Sequence, residues 1–201
     1  MLTPDFVDIA TGWTEQRAVF GKGETDVLQQ IKDVEQSLPF PLRGFDSDNG
    51  GEFLNYHLLR HFTDNRKIPI QFTRSRPYKK DDNAHIEQKK FTHVRQYLGY
   101  RRFDNPKMVD LLNDLYKNEW RLYHNFFLPS VKLIDKERIR SKIIKKYDKP
   151  QTPHHRVLMA DSLDVSNHTK HKLNQLYESL DPFFLRRIIN RKIEKILLLA
   201  S

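Results

Sequence analysis

Apolar residues recur along the chain with two different periods, and the switches between them outline its elements. In residues 5–20, DFVDIATGWTEQRAVF, two short runs flank Thr11-Gly12, the pattern of an antiparallel hairpin. Val27, Leu28, Ile31, Val34 and Leu38 then recur at helical spacing, and Pro39 and Pro41 end that helix. LRGF reads as a brief strand. EFLNYHLLRHF reads as a helix with Phe53, Leu54, Leu58 and Phe62 on or near one face, and KIPIQFT as a further strand. The expected order of this first part is β-β-α-β-α-β.

A polar connector, RSRPYKKDDN, precedes an expected helix over about 83–97. Asn105-Pro106 is a helix start, with Asn as cap and Pro at the first helical position. Val109, Leu112, Leu115, Tyr116, Tyr123 and Phe126 mark one long amphipathic helix from there. A basic stretch punctuated by prolines follows, through KYDKPQTP. Two helical segments, about 167–180 and 181–200, close the chain, the second with a stripe of Leu185, Ile189, Ile193 and Leu197. The expected fold is α/β over residues 1–102, followed by a helical C-terminal region over 103–201 with a basic linker at 136–156.

Composition narrows the class. Hydrophobic residues at 38% and aromatics at 11% can fill a core, and Trp13 and Trp120 are expected inside it. No apolar run approaches the ~20 residues of a membrane span, so no membrane association is expected. Without cysteine there is neither disulfide nor thiolate metal site, and the cytoplasm is the expected location.

Charge is divided unevenly within the net +9. Residues 1–65 carry 5 Lys/Arg against 11 Asp/Glu, residues 66–102 carry 11 against 3, and residues 136–156 carry 8 against 2. Any one such run is ordinarily a solvated face. Two basic blocks after an acidic front half point to a polyanionic partner.

The acids concentrate in Gly44–Phe53, GFDSDNGGEF. A calcium loop starting at Asp46 needs a bidentate Glu at its twelfth position, and His57 stands there. Helix capping accounts for Asn49 and Glu52 but does not require Asp48 beside glycines, where backbone can approach a metal or phosphate closely. His57 and His61 have zinc-protease spacing, yet Leu58 occupies the position of the required Glu.

Downstream, Glu87 follows Asp48 after 38 intervening residues, within NAHIEQK. SDNGGEF and NAHIEQK resemble the second- and third-acid signatures of the DDE integrase and transposase family. DIATGW resembles the hairpin turn of its catalytic domain. The later FFLPSVKL, KKYDKPQTPHHRVL and LYESLDPFFLRRIINRKIE extend the resemblance to the integrase-type transposase of a bacterial insertion sequence. The connector KKDDN departs from the loop of many retroviral integrases.

That resemblance implies an RNase H-like mixed sheet flanked by helices, cutting and joining DNA with two divalent ions, Mg²⁺ or Mn²⁺. Carboxylates suit such hard cations. Asp48 and Glu87 would be catalytic and metal-holding residues, with Asp46 a second-tier candidate because alternate strand residues share a face. Arg74, Arg76, Lys79, Lys80, Lys89 and Lys90 would position DNA phosphates, and the 136–156 block would run along DNA as an extended arm. The partners implied are transposon-end and target DNA, with homo-oligomer assembly compatible. The family's first Asp belongs on a strand before the hairpin, for which a chain starting at Met1 has no room, so the resemblance implies an N-terminally truncated core. Asp8 does not match that position. The competing expectation is a catalytically inert remnant that retains nucleic-acid binding.

Overall fold

The computed structural model describes residues 3–21, 23–47, 56–64, 66, 68–74, 99, 105–161 and 164–199. The expected helix over 83–97 lies outside these. The fold is mixed α/β with small sheets. β1 (Asp5–Val7) pairs antiparallel with β2 (Thr14–Gln16), Phe6 opposite Glu15. The loop between them closes through Asp8: its backbone N–H donates to the Trp13 carbonyl (2.8 Å) and its carbonyl accepts from Gly12 (2.7 Å). Gly12 has φ +77°, a conformation that L side chains rarely adopt.

Helix α1 (Glu24–Ser37) follows, burying Val27, Ile31 and Val34. Next come β3 (Gly44–Ser47), α2 (Tyr56–Thr63) and β4 (Gln71–Arg74). β3 and β4 are parallel, with Asp46 opposite Thr73 and Ser47 opposite Arg74. The parallel pair follows from chemistry as well as chain order: a crossover through α2 returns the chain to the same end of the sheet. Phe45, Phe62 and Phe72 pack together beneath it, the first two with ring centroids 4.9 Å apart. Phe6 of β1 reaches Phe45 at 6.3 Å, so hairpin and parallel pair share this cluster with α1 and α2.

The long helix expected after Asn105-Pro106 is present but not uniform. α3 (Lys107–Leu115) passes into a π-helical turn, Tyr116–Trp120, and then α4 (Arg121–Phe127). The Arg121 N–H bonds to the Tyr116 carbonyl five residues back, the signature of one inserted residue. β5 (Leu133–Ile139) and β6 (Lys142–Tyr147) form an antiparallel hairpin. The basic stretch 136–156, expected as an extended linker, is therefore a β-ribbon followed by the short helix α5 (Pro153–Met159). α6 (Asn167–Ser179) and α7 (Pro182–Leu199) complete the chain.

Residues on both sides of position 102 share core clusters. Ala18 packs with Leu112, Trp120 and Ile189, while Trp13 packs with Phe126, Val157 and Leu173. Both tryptophans are buried, as the sequence suggested. On α7 the buried stripe is Leu185, Ile189, Ile193 and Ile196, with Leu197 only packed against its margin.

Candidate nucleic-acid interface

The acidic stretch begins on β3. Phe45 turns into the aromatic cluster and Ser47 is buried, so by alternation Asp46 is carried to the other face, where it is exposed. Its carboxylate accepts a 2.8 Å hydrogen bond from the Thr73 hydroxyl across the parallel ladder. In the chain, Asp48 comes next after Ser47, the last residue of β3. Asp48 and Glu87 themselves lie outside the described residues. So do Arg76, Lys79, Lys80, Lys89 and Lys90, while Arg74 closes β4. Among the described residues, no three His, Asp or Glu side chains gather as a metal-holding group.

Asp8 has a structural task. Its Oδ2 accepts from both the Thr11 N–H and the Thr11 hydroxyl, each at 2.6 Å, tying the β1–β2 loop. His61 is likewise accounted for: its Nε2 lies 2.9 Å from Glu35, whose two oxygens also receive the Arg66 guanidinium at 2.7 Å each. The Arg66 hydrogen bonds hold the Glu35 carboxyl below its ordinary pKa despite partial burial. This cluster borders an open pocket of about 600 Å³ between α1 and α2, where Lys32, His57 and Arg60 are the exposed cationic or basic groups.

The second basic block is organised more openly. Every residue from Leu133 to Tyr147 is exposed, so neither face of the ribbon is buried against the fold. Register assigns its faces. Lys136 stands opposite Lys145 and Arg138 opposite Ile143, which puts three cations on one face. The other face carries Asp135 opposite Lys146, Glu137 opposite Ile144, and Ile139 opposite Lys142, so its charges balance. Arg140 and Ser141 make the two-residue turn, and Arg140 has φ 56°.

The base of the ribbon is clamped. Ser130 and Gln151 exchange backbone hydrogen bonds (2.9 and 3.2 Å), and Asp148 donates to the Lys132 carbonyl at 2.9 Å. Arg156 pairs with the Asp148 carboxylate and donates to the Ser130 carbonyl at 2.7 Å. The Lys132 ammonium donates to the carbonyls of Ile9 and Ala10 in the β1–β2 loop. Burial lowers its pKa, so that charge serves the clamp rather than the surface. The signal that could have revealed this face is the recurrence of cations at 136, 138 and 140, a period of two.

No family model matches the chain. It is 38% identical over 146 residues, 73% of its length, to a protein of Sinorhizobium fredii (strain NBRC 101917 / NGR234) described as uncharacterized protein y4rM. Those residues make up 41% of that relative, so the chain spans about two fifths of the length of the relative it matches.

Proposed function

We propose that this chain carries RNase H-like catalytic-core sequence of a DDE-type integrase or transposase, acting on DNA by phosphodiester cleavage and strand transfer. The observation that carries the reading is the parallel β3–β4 pair. The SDNGGEF signature continues directly from the C-terminal end of β3, and in sheets with parallel strands ligands gather at the carboxyl ends. Asp46, exposed on the face away from the aromatic cluster, is consistent with an acidic region open to substrate. The hairpin β1–β2 and the parallel pair, sharing one cluster with α1 and α2, are the ingredients of a mixed sheet flanked by helices.

Asp48 and Glu87 are the proposed metal-holding carboxylates. As hard oxygen donors they suit Mg²⁺ or Mn²⁺. When bound, such ions activate the attacking hydroxyl and offset charge at the scissile phosphate. The proposed partners are transposon-end and target DNA, in a homo-oligomer, in the cytoplasm at the nucleoid.

One observation favours a second reading, a DNA-binding protein without catalysis. Asp8, the acid nearest the hairpin turn, is consumed by that turn and is not available as a third ligand. Incubation with supercoiled plasmid and Mg²⁺ or Mn²⁺ separates the two. Metal-dependent nicking supports the enzyme. Binding with no nicking in either metal supports the second reading.

A further inference from the structure

The β5–β6 ribbon carries features that its own folding does not explain. Lys136 and Lys145 stand directly opposite one another, and like charges at a cross-strand pair destabilise a ladder. Arg140 occupies a left-handed turn position where glycine is unstrained, at φ 56°. Both unfavourable choices fall on one face or at the tip, while the opposite face is charge-balanced. The clamp through Asp148, Arg156 and Lys132 fixes where the ribbon leaves the fold. Strain and repulsion concentrated on one exposed surface mark a binding site rather than a packing defect.

We propose that the β5–β6 ribbon is a duplex-DNA-binding arm that lies in the major groove, with Lys136, Arg138 and Lys145 against the phosphates and Arg140 at the leading tip. This rests on the DNA partner proposed above and adds which surface holds it. A major groove ~12 Å wide admits a two-stranded ribbon. A polyanion relieves the Lys136–Lys145 repulsion that folding leaves in place. Lysine and arginine contacts to phosphate fix position without reading sequence, so the arm binds duplexes of different sequence alike.

The test uses the full chain and a labelled random-sequence duplex, with affinity measured over a salt series. Each lost phosphate contact should reduce the log–log slope by about 0.9. K136Q/R138Q/K145Q should therefore lower the slope by about 2 to 3. Arg140→Gly relieves the turn rather than straining it, so its expected loss of about one slope unit is not attributable to unfolding. K142Q/K146Q, on the balanced face, should change the slope by less than either. Netropsin, a minor-groove ligand, should leave the ribbon-dependent binding in place, and displacement by it overturns the major-groove placement. Binding by the wild type with an unchanged slope in both face and tip variants overturns this proposal and leaves the catalytic one standing. Ribbon-dependent binding without metal-dependent nicking supports this proposal and overturns the catalytic one. Failure of the wild type to bind duplex DNA at low salt overturns both.

Discussion

The Asn125 carboxamide completes the outer edge of β2 by pairing with the backbone of Thr14. Its Oδ1 accepts from the Thr14 N–H and its Nδ2 donates to the Thr14 carbonyl, both at 2.8 Å. Asn113 repeats the arrangement on Ala18 at 2.8 and 3.0 Å, and between them Arg17 donates to the Gln16 carbonyl at 2.7 Å. Residues 14, 16 and 18 are those whose backbone faces away from β1, so side chains rather than a further strand close this edge. Asn125→Ala leaves a buried donor and acceptor at Thr14 unpaired. The expected loss is about 2–4 kcal/mol, read as a lower urea midpoint with unchanged slope. Asn113→Ala, at a partly buried pair, should cost less.

The π-helical turn makes this double use of one helix workable. Twelve residues of α-helix at ~100° each place Asn125 about 120° around from Asn113, too far to meet the same strand. One inserted residue absorbs about 100° of that, returning both amides to one face. Deleting Asn118 is expected to restore plain α-helix with Asn125 eleven residues from Asn113, about 20° around from it, so that α4 keeps its register on β2. The deletion should therefore destabilise the protein less than Asn125→Ala, since both amides and the contact of Phe126 with Trp13 stay in place. Equal urea midpoints for the two variants would contradict the phasing argument.

His154 gives the fold a pH dependence of definite sign. Its ring stacks 4.7 Å from Phe126 and 5.2 Å from Tyr177, and burial lowers its pKa, assisted by His155 and opposed by a hydrogen bond with Asn174. With a folded value below the unfolded ~6.5, the unfolded chain binds the proton more readily. Stability from this site is thus fully present above about pH 6.5 and is lost as pH falls from there through the lower folded value. Thermal midpoints of wild type should decline from pH 7.5 to 5.5. His154→Phe, which keeps the stack, should decline less.

Elements with a buried face were legible, and elements without one were not. Val27, Ile31 and Val34 on α1, and Leu185, Ile189 and Ile193 on α7, repeat at helical spacing because each helix buries one side. The strand near Gly44 and its partner near Phe72 were marked by short apolar runs between turns. The ribbon LIDKERI–KIIKKY shows no apolar-in, polar-out alternation, because both its faces meet solvent. Its turn hides too: Arg140-Ser141 contains no glycine to announce it. The π turn leaves no compositional trace, only the spacing of Asn113 and Asn125, which gains meaning once β2 is known to lie alongside. At the candidate site, the motif text identified Asp46 and its neighbours, but the Thr73 partner comes from β3–β4 register, which neither strand encodes alone.

The four candidate acids can be told apart by isosteric substitution. Asp48→Asn and Glu87→Gln, the proposed metal-holding positions, should each reduce metal-dependent plasmid nicking to the level without metal. Asp46→Asn retains an acceptor for the Thr73 hydroxyl and removes only an exposed charge, so its loss should stay within about tenfold, the ~1.4 kcal/mol scale of one such interaction. Asp8→Asn keeps an acceptor for Thr11 and should leave both fold and nicking nearly unchanged. Asp8→Ala removes it and should cost about 1 kcal/mol of stability with no separate effect on nicking beyond the folded fraction. Loss of nicking in a well-folded Asp8→Asn or Asp46→Asn variant, at a level matching Asp48→Asn, would assign that residue to the metal site and displace the turn-closing or ladder-bridging role given to it here.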